Sequence, residues 1–528
     1  MNKKTLGKAA AGIVIVAAAV VGYRTFGWGH WHNSGQGLNL DLSAPDALIV
    51  TKSLSTLPRD LLTIPLARDV LREDFLFYYE QNEDRLGLKG SLRRIAYEHE
   101  LNWGDQLIRM VLDEPADVAV WRDPDGSLQH FAIAVSRNGL TRVLEEAGKV
   151  ALKDSQMRIA GTLKVDGDEV SVFALDYGSK RTLLVAAHGQ RLVILSHPGM
   201  LYRGADGNEV DSKAADTVVG LLGKDAAKQH AFHRQFLLPE KPVDGHSVAV
   251  KADYLSFGYQ PFFSGLQALR FDFSKGAWRS QALVDGTKLG KGGYDSSALW
   301  PVLPHNPSAC FTVPVDWAAM EPVLKALSGN AAEALDPLAT QMHGPAAACW
   351  YGHSRLHTPV FVATRSGASD ALFGSLFGAA IGGNAKAVKP ATQGGAMRWQ
   401  QPIGTAVGNA APTLAVAGNI VVFSADPKLV DQVLAVKRKQ GAAASDRMPD
   451  AAHTVGVIAP ASLAQLIQKE AFSTLPAKQE PILRGAADAH LVPRLNALKK
   501  YPPYRMVLKQ LPRSGVAWEP LEWQAIGN

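Results

Sequence analysis

Apolar and polar positions alternate with a period of two through much of this chain, the mark of half-buried strands, and turn residues punctuate the runs. Pro115 to Arg137 reads as a β-hairpin: one apolar run ends at Trp121, Asp123-Pro124-Asp125-Gly126 supplies turn chemistry, and Phe131 to Val135 forms the second run. The same pattern returns at Pro345 to Arg365. A short strand precedes each copy, Ala47 to Val50 and Ser308 to Val313, and a helical stretch follows each, Leu140 to Leu152 and Ala371 to Ile381. A glycine turn, an apolar strand, a serine, a proline and a new helix then recur together, at Gly189 to Leu201 and Gly418 to Val430. The spacing from Trp121 to Ser196 matches that from Trp350 to Ser424 to within one residue. His246 to Val250 corresponds to His453 to Val457, and a terminal strand pair closes each copy. These elements, recurring in one order, predict an internal duplication in which Trp121 and Trp350 are core aromatics of the repeated hairpin.

The expected fold class is α+β: an N-terminal single transmembrane helix, then two tandem related halves of mostly antiparallel sheet with packed helices. Lys3, Lys4 and Lys8 precede an uncharged stretch from Ala9 to Tyr23, followed by Arg24 and by Phe26, Trp28 and Trp31. Snorkelling lysine and arginine side chains extend the span, aromatics suit an interfacial belt, and the leading lysines place the N-terminus in the cytoplasm. A cleaved signal peptide is the alternative. The expected division is residues 1–30 as cytoplasmic tip and anchor, 31–44 as linker, 45–300 as the first half and 305–528 as the second. A charge-rich insertion near 80–103 lengthens the first half. The bulk of the chain is then periplasmic, with the bacterial inner membrane as its first partner.

Length and composition add little constraint. At 528 residues with 47% hydrophobic content the chain supports sizeable cores, and its net charge of +6 does not point to nucleic acid. Basic clusters at Lys437-Arg438-Lys439 and between Arg494 and Arg513 read as solvated faces, with contact to an anionic lipid or a partner as the other reading.

Candidate chemistry is sparse. Cys349, His353 and His357 have the spacing of three zinc ligands on a helix, but the duplication sets Cys349 against Val120 and His357 against His130, on strands, where a spacing of four does not gather side chains. Cys310 corresponds to Leu48, so the two cysteines are either buried thiols or, if the hairpin lies beside the opening strand, a disulfide closing a loop of about 39 residues. His99-Glu100-Leu101-Asn102-Trp103 lacks the second histidine of a zinc-peptidase helix, and no nucleophile elbow or Walker A loop is present. Ser196 and Ser424 read as helix-entry serines. No catalytic, metal or cofactor residue is assigned, and the chain is read as a non-enzyme.

The lysine-led N-terminus, PDALIVTKSLSTLPRDLL from Pro45, RRIAYEHELNW from Arg93 and DEPADVAVWRDPDG from Asp113 together resemble the YfaA-like proteins, a proteobacterial family of unknown function. The resemblance implies a role in the cell envelope, by association with an alpha-2-macroglobulin-like protease trap. The expected function is a membrane-anchored periplasmic scaffold or protein-binding protein with an envelope protein as partner. The alternatives are a periplasmic small-ligand or glycan-binding protein with a site between the halves and, third, a cell-envelope hydrolase.

Overall fold

The computed structural model describes most of residues 38–527; its longest undescribed stretches are 1–37, 70–113, 137–156 and 319–340. The described residues fall into two compact units, one holding residues up to 254 together with 269–278, the other 255–268 and 279 onward. The expected join between 300 and 305 lies inside the second unit. There Leu299, Trp300 and Leu303 are fully buried in one hydrophobic cluster, and Trp300 Nε1 donates to the Ser296 hydroxyl and the Thr454 carbonyl, both at 3.1 Å.

In the first unit, β1 (Ala47–Thr51) leads into a short helix, α1 (Leu57–Leu62). The predicted hairpin is β2 (Ala116–Arg122) and β3 (Leu128–Ser136). After it come β4 (Met157–Val165), β5 (Asp168–Tyr177), β6 (Arg181–His188) and β7 (Arg191–Leu195). Helices α2 (Ser212–Leu222) and α3 (Ala231–Gln235) follow, then β8 (His246–Lys251) and β9 (Leu266–Ser274). All pairings are antiparallel, and the spatial order is β4-β5-β6-β7-β3-β2-β1-β8.

The second unit repeats this order. It contains β10 (Ala277–Asp285), β11 (Ala309–Val313), the hairpin β12 (Met342–Trp350) and β13 (Val360–Arg365), and α4 (Asp370–Gly382). Next are β14 (Ala391–Gln393), β15 (Ala396–Gln400), β16 (Thr413–Ala417), β17 (Ile420–Ser424) and α5 (Pro427–Lys437). The chain ends with β18 (Thr454–Ile458), α6 (Pro460–Ser473), α7 (Val492–Leu498), β19 (Tyr504–Val507) and β20 (Val516–Ala525). Here the order is β14-β15-β16-β17-β13-β12-β11-β18-β19-β20-β10, again antiparallel throughout. The glycine turns recur in detail, with Gly189 at φ 57° between β6 and β7 and Gly418 at φ 58° between β16 and β17.

Successive side chains of a strand point to opposite faces, and the sheet of the second unit buries both. In the second unit one face packs on α5, where Val422, Ala415 and Ala417 meet Leu429, Val430, Val433 and Leu434. The other packs on α4, where Leu372, Phe373 and Phe377 meet Trp399, Leu414 and Val416. The first-half counterpart of α4, expected at 140–152, and the insertion near 80–103 lie outside the described residues.

The membrane part of the expected fold is corrected. No helix among the described residues is long and apolar enough to cross a membrane, and strand outweighs helix. Helix α4, whose one charge is Asp370 at its start, has 13 residues, against the ~17–25 that a span requires. The residues on which the anchor was placed lie outside those described.

Helix α5 closes in a Schellman motif, with Lys439 N–H donating to the Val436 carbonyl at 2.8 Å and Gln440 N–H to the Ala435 carbonyl at 2.9 Å. Lys439 takes the left-handed position, φ 60°, where glycine is favoured. Lys439→Gly is therefore expected to stabilise the second unit by up to about 1 kcal/mol, read as a higher urea midpoint.

Candidate functional site

Strand pairing fixes which residues of the two halves are equivalent. Leu48 lies opposite Ala119 and Ala249, and Cys310 lies opposite Cys349 and Val457. Cys349 thus takes the place of Ala119, not of Val120. Trp350 replaces Val120, as Asp46 N–H donating to the Val120 carbonyl and Ser308 N–H to the Trp350 carbonyl also show. The true partner of Trp121 is Tyr351.

Both of those rings are buried. Trp121 is 2% exposed and Tyr351 3%. Trp121 Nε1 donates to the Asp41 carbonyl at 2.8 Å, and the Tyr351 hydroxyl to the Pro304 carbonyl at 3.1 Å. Burial pushes the Tyr351 phenol well above its ordinary pKa. Trp350, expected in the core, is only half-buried, and its Nε1 donates to the Leu356 carbonyl. A one-residue slip in a strand exchanges its two faces, and pairing Trp121 with Trp350 sets the two copies one residue out of register.

Cys310 and Cys349 are directly opposed on β11 and β12, and their sulfurs are bonded at 2.02 Å. Both are fully buried in the cluster under α5. The first half fills the same positions with Leu48 and Ala119. The bridge closes a loop of 39 residues, which by the chain-entropy relation contributes about 3–4 kcal/mol. Grafting the first half's pair as Cys310→Leu/Cys349→Ala restores apolar packing without the cross-link. We expect a loss of about 3 kcal/mol in urea denaturation, and under reducing conditions the variant and the wild-type chain should converge.

The Cys-His-His triplet does not assemble. His353 lies 3.1 Å from Gln432 Oε1, and His357 pairs with Glu470 at 3.3 Å. Among the described residues no group of three His, Cys, Asp or Glu side chains could hold a metal ion. The serines serve the backbone: Ser196 Oγ accepts from Phe131 N–H at 2.8 Å, and Ser424 Oγ donates to the Pro359 carbonyl at 3.0 Å.

Histidine–carboxylate ties in the first unit carried no sequence signal, because their members are far apart in the chain. On the face shared by β1 and β8, His246 is fully buried, with Nε2 3.1 Å from Asp60 Oδ2 and Nδ1 2.7 Å from Thr51 Oγ1. A carboxylate only accepts, so the ring carries a proton on Nε2; Thr51 Oγ1, which also reaches the Ser53 carbonyl at 2.9 Å, lies against Nδ1. His233 on α3 meets Asp117 on β2 at 2.9 Å. His130 meets Asp123 at 3.3 Å and stacks edge-on against His197 at 5.9 Å. Burial lowers the pKa of His130, His197 and His246, and at His197 the neighbouring His130 adds to it.

The order carboxylate, imidazole, hydroxyl at Asp60, His246 and Thr51 is that of a nucleophilic triad. Its surroundings are those of a structural tie, since Thr51 is 2% exposed and its Oγ1 also contacts the backbone of Ser53. At the opposite end of β1, Arg122 joins Asp46 at 2.9 Å and Asp253 at 2.7 Å, with Lys251 3.5 Å from Asp46.

Two cavities open on the second unit. One of about 200 Å³ is lined by Gly394, Gly395, Gly418, Leu434, Lys437 and Arg438. Another of about 410 Å³ is lined by Lys389, Ala391, Gln393, Arg398 and Gln400. Arg398 spans from the sheet to α5, donating to Asp431 at 2.6 Å, Gln400 at 2.8 Å and Gln393 at 3.1 Å.

Comparison with known proteins agrees with the resemblance noted from the sequence. The chain is 33% identical over 526 residues to "Uncharacterized protein YfaA" of Escherichia coli (strain K12), covering 94% of this chain and 92% of that protein. A solved structure titled "Structure of crystal form III of TP0453" matches 47% of this chain and 79% of its own at 9% identity, with a TM-score of 0.18. A family model described as "Uncharacterized protein conserved in bacteria (DUF2138)" matches residues 8–523, and the chain belongs to that family.

Proposed function

We propose that this protein is a non-catalytic scaffold for another protein of the bacterial envelope, working in the oxidising periplasm. The observation that carries the reading is the Cys310–Cys349 bridge, buried in the core of the second unit. Disulfides persist in oxidising compartments and are rare in the cytosol. Support for a binding role comes from the use of the titratable groups. The histidine–carboxylate pairs described above fasten strands and helices to one another, and neither of the two cavities described above has a serine, a histidine or a carboxylate in its lining.

Two measurements on the full chain in its host test this. Thiol blocking in intact cells before lysis should leave both cysteines unlabelled until reductant is added; labelling of both without reductant overturns the periplasmic assignment. Crosslinking in intact cells followed by mass spectrometry should enrich an envelope protein over an unrelated periplasmic control, and the absence of any such enrichment overturns the scaffold role.

A further inference from the structure

The smaller cavity on the second unit is built by three turns. The β14–β15 turn contributes Gly394 at φ 57° and Gly395 at φ 77°, the β16–β17 turn contributes Gly418 at φ 58°, and the last turn of α5 contributes Lys437 and Arg438. Arg438 lies directly over the first turn: a Cβ at Gly394 would stand 2.6 Å from its Nη1. Lys437 lies along the second, with Nζ 3.9 Å from where a Gly418 Cβ would be. Glycine at 394 thus lets the guanidinium reach the cavity wall.

Cations at a helix C-terminus ordinarily face its last carbonyls. Here the Schellman motif already takes up those carbonyls through Arg438, Lys439 and Gln440 N–H groups. The side chains turn instead to neutral amides, with Lys437 Nζ donating to Asn419 Oδ1 at 2.8 Å and Arg438 Nε to Gln440 Oε1 at 3.0 Å. Among the described residues no carboxylate forms a salt bridge with either. Burial lowers the pKa of the Lys437 amine, which a bound anion would reverse. The larger cavity, on the same β14–β15 hairpin, adds the cation Lys389, while Arg398 there is paired with Asp431.

We propose that the cavity floored by Gly394, Gly395 and Gly418 binds a phosphate group, with Lys437 and Arg438 as its charge partners. An ammonium and a guanidinium around one oxyanion give charge-assisted hydrogen bonds, about twice as strong as neutral ones. The cavity of about 200 Å³ has room for a phosphate and the first atoms of whatever carries it, whether a lipid headgroup or a soluble phosphorylated molecule. The inference does not depend on the scaffold reading.

The test uses the full chain with inorganic phosphate, followed by phosphorus NMR, and with phosphatidylglycerol or phosphatidylcholine vesicles, followed by sedimentation. Wild type should bind phosphate, and Lys437→Gln/Arg438→Gln should bind at least tenfold more weakly, while Lys224→Gln on the first unit binds as wild type. Gly394→Ala, which displaces the guanidinium without removing a charge, should also weaken binding; urea melts confirm that each variant is folded. Sedimentation with phosphatidylglycerol that phosphate competes away assigns the site to a lipid headgroup, and phosphate binding without vesicle binding assigns it to a soluble molecule. The proposal is overturned if wild type binds neither probe, if vesicle binding resists phosphate, or if the double variant binds like wild type.

Discussion

Trp121→Ala is expected to destabilise the first unit by about 3–5 kcal/mol, the range for removing a buried tryptophan, whereas Trp350→Ala should cost roughly 1–2 kcal/mol. The asymmetry follows from the register of the two hairpins. Trp121 is 2% exposed, meets Phe232 edge-on at 5.6 Å and donates to the Asp41 carbonyl. Its removal leaves a cavity between β2 and α3 and takes the donor from the Asp41 carbonyl. Trp350 sits on the other face of β12, half-buried, where solvent can fill the gap. Tyr351→Ala in the second unit should behave like Trp121→Ala, because Tyr351 is the structurally equivalent residue. The check is the shift of the urea midpoint for all three variants. Equal losses at Trp121 and Trp350 would contradict the equivalence drawn from strand pairing.

The hairpins show what the sequence makes legible. Alternation, turn residues and the repeated glycine-strand-helix element locate the strands, and both units have the same antiparallel order. Register was the weak point: the anchors chosen for alignment, tryptophan with tryptophan and His246 with His453, are chemically alike but structurally displaced. Pairing places Thr454, not His453, where His246 stands, since Thr51 opposes His246 while Cys310 opposes Val457 three residues beyond Thr454. Side-chain identity survives poorly between such copies, whereas the φ of a turn glycine, as at Gly189 and Gly418, is retained. Contacts such as Asp60 with His246, 186 residues apart, leave no local pattern, and neither does a cavity assembled from three separate turns. The membrane helix was inferred from a lysine-led apolar run with flanking aromatics, a pattern that fixes neither helix length nor packing.

The buried tie at His246 carries the other large effect. His246→Phe leaves Asp60, 6% exposed, and Thr51, 2% exposed, without their partner in the interior, and removing one member of a buried polar pair costs about 3–5 kcal/mol. The loss should appear first as detachment of α1, which Asp60 fastens to the sheet, so amide exchange at 57–62 should accelerate more than in β2 or β3. Replacing the whole set, His246→Phe with Asp60→Leu and Thr51→Val, should recover part of the stability, because the imidazole and its carboxylate are removed together and only the Ser53 N–H loses its Thr51 acceptor. The same histidine gives the first unit a pH dependence whose sign is fixed. Burial is the main cause that lowers the folded pKa of His246, and it does the same for His130 and His197. Below the unfolded histidine pKa of about 6.5 the unfolded chain therefore binds more protons than the folded one. Stability is complete above that pH and declines as the pH falls from there toward the folded values. Urea midpoints between pH 7.5 and 5.0 should decrease for wild type, and the slope should be shallower in the triple variant, where one of the three titrating rings is gone. A midpoint that rises on acidification would mean that the aspartate, rather than burial, governs these rings.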